Sequence, residues 1–330
     1  METVHEPYFS RLILRKTSYN IALVACLILI FFDPSLLPAQ TLKKVPLPFS
    51  PIGINCLPWF VAKEARIYEK HGIDVDPVFI GASSVLIQSM LSGAADMAGS
   101  GGPSIISNVL QGGNIIHVTA MVPRFTQSIM VKPEIKRPED MIGKKIGVSR
   151  LGTVTHFALQ TALDGYGVKG VTILQMGGQP EAVAGLVRGS VDGAVFSPPY
   201  NFQLKKQGYN ELVSPNELQK FTAFITNGII ARRSVVEKDK DSLMRLIKST
   251  AEAIKLITTD REFTKKVITK WMPLKDPDLL EQVYLFATEN YAREGQVPEA
   301  ALRAMVKQMV ESNLIDAKLA ANTPLTAYYD

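Results

Sequence analysis

Residues 81–112 read GASSVLIQSMLSGAADMAGSGGPSIISNVLQG, and residues 177–208 read GGQPEAVAGLVRGSVDGAVFSPPYNFQLKKQG. A shift of 96 positions lays Gly81 on Gly177, Gly93 on Gly189, Asp96 on Asp192, Ala98 on Ala194, Pro103 on Pro199 and Gly112 on Gly208. Met90 and Leu91 fall on Leu186 and Val187. Each copy reads as loop, amphipathic helix, glycine stop, short apolar strand, small-residue loop and second helix. The recurring glycines have a local cause: a helix commonly ends at positive φ, which glycine alone adopts freely. A single Gly and Asp in common would be punctuation. Six small or turn residues in one register, between matching apolar runs, signal a duplicated unit.

The repeat extends upstream. Ile52-Gly53-Ile54 resembles Ile146-Gly147-Val148 as a strand start, and His71-Gly72-Ile73 resembles Tyr166-Gly167-Val168 as a helix end leading into a strand. Each half is then strand, helix, strand, helix, strand, helix, which predicts α/β architecture with a parallel, doubly wound sheet in each half. Two lobes side by side leave a cleft, where the loops at the carboxyl ends of the strands gather. The first strand is expected at residues 47–55, with Cys56 near its end. Further strands are expected at 73–80 and 115–121, and a helix at 154–165. The chain is expected to cross between lobes near residue 125 and to return near 224–230. From residue 232 the pattern is helical, at 241–259, 263–271, 278–292 and 299–312, broken at Pro273, Pro277 and Pro298. These helices read as a cover on the first lobe. The expected division is residues 40–125 plus 226–330 for the first lobe and 126–225 for the second.

The chain has 330 residues, 46% hydrophobic and 20% charged, with a net charge of +5. That suffices for two globular lobes. It carries no basic stripe interleaved with aromatics, which argues against a nucleic-acid partner. Residues 1–39 read as a secretory signal: Arg11, Arg15 and Lys16, then the apolar stretch 21–32, then Leu37-Pro38-Ala39 before Gln40. Cleavage after Ala39 is expected, with retention as an uncleaved anchor or lipidation at Cys26 as alternatives. Cleavage leaves Cys56 alone, so no intrachain disulfide can form.

In this order, several motifs resemble those of a known family. They are the stretch VAKEARIYEKHG at 61–72, LSGAAD at 91–96, PEDMIGKKIGV at 138–148, GSVDGA at 189–194 and Ser197-Pro198-Pro199. Across residues 46–320 the sequence resembles periplasmic substrate-binding proteins of the nitrate, sulfonate and taurine type, together with the thiamine-pyrimidine-precursor group. The resemblance implies the type II periplasmic binding protein fold: two Rossmann-like lobes joined by two crossover strands, with C-terminal helices packed on the first. It implies a monomer that delivers a small molecule to a membrane permease and a cytoplasmic ATPase of an ABC importer. A pyrimidine-precursor synthase on the same fold is the alternative, though the Cys-rich motif of those enzymes is absent.

The cleft loops are rich in small and hydroxyl residues, which let backbone N–H groups approach a ligand. The candidate ligand-binding residues are Pro58, Trp59, Ser83, Ser84, Ser100, Gly101, Thr126, Gly152, Thr153, Thr155, His156, Glu181, Ser197, Pro198 and Tyr200. A helix start offers free N–H groups and about half a positive charge. Gly152-Thr153 therefore reads as an anion site, with hydroxyls from Thr153 and Thr155. Ser83-Ser84 reads as a second, although Ser and Thr at such positions also serve simply as caps. His156, one turn into the same helix, can donate to a carboxylate or sulfonate, or be structural. Trp59 can stack on a planar ligand group or pack in the core. Glu181 can hold a cationic group or favour its own helix start. Arg124 and Arg150 are candidate counter-charges at lobe edges, with a solvated side chain the favoured reading for each. Asp96 and Asp192 precede buried strands and read as structural. The expected ligand is a small organic anion with an apolar or aromatic remainder beside Trp59 and Tyr200. The four histidines are dispersed without metal-ligand spacing. Neither a phosphate-binding Gly-Lys-Ser/Thr loop nor a Gly-x-Ser-x-Gly elbow is present. No cofactor, metal or catalytic residue is expected.

Overall fold

The computed structural model describes residues 42–50, 53–272 and 274–330. The expected export signal, with Cys26 and Ala39, lies outside the described residues, as do Ile52 and Pro273. No helix among the described residues is long and apolar enough to cross a membrane.

Two five-stranded sheets carry the fold. The first contains β1 (Lys43–Phe49), β2 (Ile73–Phe79), β3 (Met97–Ser100), β4 (Ile115–His117) and β10 (Gly228–Arg232), in the order β2-β1-β3-β10-β4. The second contains β5 (Ser128–Val131), β6 (Lys145–Val148), β7 (Thr172–Gln175), β8 (Gly193–Phe196) and β9 (Asn210–Val213), in the order β7-β6-β8-β5-β9. The two orders are the same pattern. In each sheet the fourth strand, β10 or β5, runs antiparallel to its neighbours. The sheets are therefore mixed rather than wholly parallel. The antiparallel strand arrives across a connection between lobes, and such a strand enters from the opposite direction. The chain leaves the first sheet after His117 and enters the second at Ser128. It leaves the second after Val213 and re-enters the first at Gly228.

Helices follow the strands: α1 (Leu57–Glu64), α2 (Ile67–Lys70), α3 (Ser83–Leu91), α4 (Gly102–Leu110), α5 (Val154–Tyr166), α6 (Gln179–Val187), α7 (Tyr200–Lys206) and α8 (Pro215–Phe221). The 96-residue shift holds at element level. It lays α3 on α6 and β3 on β8 end to end, and the glycines after α3 and α6, Gly93 and Gly189, have φ of 90° and 78°.

The reading upstream needs correction. The first strand is Lys43–Phe49, not residues 47–55, and Gly53 bends the chain into a single 3-10 turn, Ile54–Cys56, that holds Cys56. Strand β6, with Ile146, Gly147 and Val148, thus corresponds to β1 and not to residues 52–54. The segment Leu57-Pro58-Trp59-Phe60 is the first turn of α1, and Pro58 sits where its missing N–H costs nothing. Strand β4 stops at His117, and residues beyond it continue only as far as an isolated pairing of Val122 with Asn227.

The remaining helices are α9 (Arg233–Lys238), α10 (Lys240–Thr259), α11 (Arg261–Trp271), α12 (Pro277–Asn290), α13 (Glu299–Glu311) and α14 (Ala317–Asn322). Helix α10 places Leu243, Leu246, Ala253 and Ile257 in the core of the first lobe, with Trp59, Val61 and Tyr68. Helix α13 differs. It packs beside α4, and its face of Ala301, Leu302, Met305 and Met309 joins the core that holds Ile146, Phe157 and Val195 of the second lobe. That core also contains Phe125 and Phe224, one on each crossing. Their rings stack at 4.3 Å, and Phe224 stacks on Phe157 at 5.0 Å.

Candidate functional site

Four helix starts converge where the lobes meet, two from each lobe. Helices α3, α4, α5 and α6 begin after Ala82, Gly101, Thr153 and Gly178, and none of these cap residues engages its helix through a side chain. Their proximity is direct. Ser83 and Ser104 share a hydroxyl hydrogen bond at 2.8 Å, and the Ser104 hydroxyl donates to the Gly152 carbonyl at 3.0 Å. A Cβ on Gly101 would overlap Val154 Cγ2, and one on Gly81 would stand 3.2 Å from the Gly177 carbonyl oxygen. Each helix start carries N–H groups without an intrahelical partner and a partial positive charge. The Gly102 N–H is already engaged by the Ile225 carbonyl.

The start of α5 is the most polar of the four. The Thr153 hydroxyl donates to the Arg150 carbonyl at 2.6 Å instead of capping the helix. Ser149 Oγ lies 3.0 Å from Thr153 Oγ1 and 2.8 Å from Thr155 Oγ1, and the Ser149 N–H donates to Thr155 Oγ1. Thr155 is therefore held within this hydroxyl cluster. The Gly152 N–H donates to His156 Nδ1 at 3.1 Å, which places the imidazole proton on Nε2. Burial lowers the pKa of His156, so the ring is a neutral donor.

A second group of residues ties the lobes together beside the crossings. Asn55 and Thr126 exchange hydrogen bonds at 3.2 and 3.3 Å. Gln127 Nε2 donates to Thr126 Oγ1 at 3.0 Å and to Ser197 Oγ at 3.3 Å. The Ser197 N–H donates to Gln179 Oε1, and Asn227 donates to the Asn55 carbonyl. All six are buried. Thr126 and Ser197 thus belong to an interlobe network, together with Asn55, Gln127, Gln179 and Asn227, which the sequence reading did not single out. Their one visible signal is a set of amides flanking the short apolar strands at the expected crossings. The loop at Pro198 also touches the first lobe, where its carbonyl accepts the Ile54 N–H at 3.1 Å.

The other candidates are dispersed. Trp59 is wholly buried, with its ring against Gly99 and Phe49, in the core of the first lobe. Pro58 is buried in the same turn, and Ser100 is buried at the end of β3. Ser84 is half-buried on the first turn of α3, and Tyr200 is half-buried at the start of α7. Burial raises the Tyr200 phenol pKa, with smaller contributions from Cys56 and Glu181. Glu181 is exposed, and its carboxylate folds back over Gly178 at its own helix start. Arg124 donates to Asn216 of α8, and Arg150 is exposed. Among the described residues no Lys, Arg, Asp or Glu side chain is buried. Asp192 accepts from Lys132 at 2.7 Å and from the Lys145 N–H, and Asp96 lies 3.7 Å from Arg232, so both tie strands together. No buried cationic side chain therefore contributes to the convergence, where the helix starts supply partial positive charge.

Comparison with known proteins places this architecture. The taurine-binding periplasmic protein of Escherichia coli (strain K12) is 29% identical over 184 residues, covering 55% of this chain and 51% of that protein. The chain thus matches about half the length of that relative. The alkanesulfonate-binding protein SsuA from Xanthomonas axonopodis pv. citri, solved with MOPS bound, superposes with a TM-score of 0.73 at 17% identity, over 87% of this chain and 99% of that one. The nitrate-binding protein NrtA from Synechocystis PCC 6803 superposes with a TM-score of 0.69 at 14% identity, over 88% and 86%. These likenesses establish the periplasmic binding protein fold. The family model described as NMT1/THI5 like matches residues 54–262, more than half of the chain, and the chain belongs to that family.

Proposed function

We propose that this chain is an extracytoplasmic solute-binding protein that holds a small organic anion, a sulfonate or carboxylate, between its lobes and delivers it to an ABC importer. In this reading residues 1–39 are the export signal, residues 40–125 with 226–330 form one lobe and residues 126–225 the other. The permease and ATPase at the inner membrane are the partners, and the protein works as a monomer in the periplasm. The observation that carries the reading is the convergence of four helix starts without side-chain caps, beside the His156 Nε2 donor. Each hydrogen bond to a charged group contributes about 1.5–3 kcal/mol, so a few of them reach micromolar affinity after association costs.

The pyrimidine-precursor synthase alternative draws no support from Cys56. Its thiol is buried, donates to the Gly53 carbonyl at 2.8 Å and is pushed up to a pKa of about 12 by burial. A thiol held neutral is a poor nucleophile.

The test is native mass spectrometry of the purified protein, followed by a thermal-shift panel of nitrate, sulfonates, carboxylates, amines and pyrimidines. A ligand raises the melting temperature by mass action. Stabilisation by cationic or neutral compounds alone would overturn the anion assignment. Recovery of a chemically altered ligand would favour the enzyme.

A further inference from the structure

Helix α7 is held in the second lobe by one side and meets the first lobe with another. Leu204 is buried in the second lobe with Met130, Ala182, Leu186 and Phe196. Phe202 packs instead against the core of the first lobe, and its ring meets Phe286 of α12 edge-on, with centroids 5.8 Å apart and planes at 78°. Residues four apart share a helix face, so Lys206 stands beside Phe202. Its ammonium pairs with the carboxylate of Asp276, the N-cap of α12. Helix α12 is fixed in the first lobe by Leu279, Val283, Tyr284 and Ala287. Just past its end, the Tyr291 hydroxyl donates to the Ile54 carbonyl, and the Ile54 N–H donates to the Pro198 carbonyl in the loop that enters α7. Phe202, Lys206, Asp276 and Phe286 belong neither to the four helix starts nor to the amide network beside the crossings.

We infer that α7 and α12 form a clasp that keeps the two lobes joined when no ligand is present. A contact made in only one of two arrangements stabilises that arrangement. Phe202 and Phe286 shield each other only while α7 lies on α12, so parting the lobes returns apolar ring surface to water. Their edge-on geometry adds to that burial. The ion pair adds less, because the Lys206 side chain is 53% exposed. The clasp acts through groups remote from the helix starts and does not rest on the anion reading.

The experiment is single-molecule energy transfer on protein dialysed free of small molecules, with one dye on each lobe through Asp74→Cys and Lys169→Cys. Both positions are exposed, and Cys56 is buried away from the label. Phe202→Ala is expected to raise the ratio of separated to joined molecules about tenfold, the scale of a lost edge-on ring pair. Lys206→Glu leaves both rings in place and is expected to raise it about threefold, the scale of a half-exposed ion pair. Should Phe202→Ala fail to fold, Lys206→Glu decides alone. A wild-type ratio in the variants overturns the clasp. So does a ratio below that of the wild type, since α7 and α12 would then meet more closely in the separated arrangement. With no ligand added, neither result bears on the anion reading.

Discussion

The two lobes share one strand order but differ in what they present to the cleft. After β1 the first lobe turns through Ile54–Cys56 directly into α1, whose opening residues Leu57, Pro58, Trp59 and Phe60 are all buried. After β6 the second lobe opens α5 with Thr153 and Thr155 around Ser149 and with His156 against the Gly152 N–H. The same position in the repeat is apolar in one lobe and polar in the other. The ion pairs at the equivalent strand ends differ as well. Lys132–Asp192 is close and partly shielded, whereas Arg232 and Asp96 are 3.7 Å apart with Asp96 largely exposed. A duplicated unit therefore keeps its backbone while the side chains at its helix starts diverge.

The sharpest way to break this comparison is to empty each core in turn. Trp59→Ala and Phe157→Ala each remove a ring that is almost wholly buried, and each is expected to cost about 3–5 kcal/mol in chemical denaturation. Should Trp59→Ala abolish anion binding while leaving stability intact, the comparison fails.

Acid provides the next largest effect. His117, on β4, is wholly buried, and burial lowers its pKa from 6.5 to about 4. The unfolded chain therefore takes up a proton that the folded lobe refuses. Stability is fully present above pH 6.5 and falls as pH drops toward about 4, by about 3 kcal/mol. His156 in the second lobe shifts in the same direction. The melting temperature of His117→Leu is expected to be flatter with pH over that window than that of the wild type, and identical slopes would remove His117 from the account.

Thr153→Asp sets a carboxylate at the α5 start. Anion affinity is expected to fall about 100-fold in titration calorimetry, since charge-assisted bonds to the backbone are replaced by repulsion. Unchanged affinity would move the anion to another helix start. The smallest effect concerns the ion pairs. Lys132→Met is expected to cost up to about 1 kcal/mol and Arg232→Met less, because an exposed, longer pair contributes little. The reverse order would mean that Arg232 acts through its bond to the Met90 carbonyl at the end of α3.

The repeat made much of this legible. Helices α3 and α6 and strands β3 and β8 could be placed from their registered glycines and apolar runs, because those patterns are set by local backbone needs. Strand β1 was not legible, because Pro46 and Pro48 argue against a strand. The structure tolerates them because Phe49 accepts from Ile80 on the β2 side, so Pro46, Pro48 and Ser50 face β3, and β3 reaches only as far as the Phe49–Ser50 end. The antiparallel fourth strands were also hidden, since strand direction depends on where the chain returns, not on composition. Two of the four helix starts, at Ser83 and Thr153, could be read in the sequence; those after Gly101 and Gly178 were not singled out. The network of Asn55, Gln127, Gln179 and Asn227 could not, because amides scattered through sequence carry no periodicity and acquire a role only when the lobes meet.

The path of the chain between the sheets also sets an order of assembly. The second sheet is continuous in sequence, from Ser128 to Val213, and needs nothing later to pair its strands. The first sheet lacks its fourth strand until Gly228–Arg232 arrives, and its outer strand is then covered at His117 by Tyr328, Tyr329 and Asp330. Contacts so distant in sequence form slowly. A chain emerging from the ribosome thus holds β4 apart from β1, β2 and β3 until Gly228–Arg232, the strand that lies between β3 and β4, has been made.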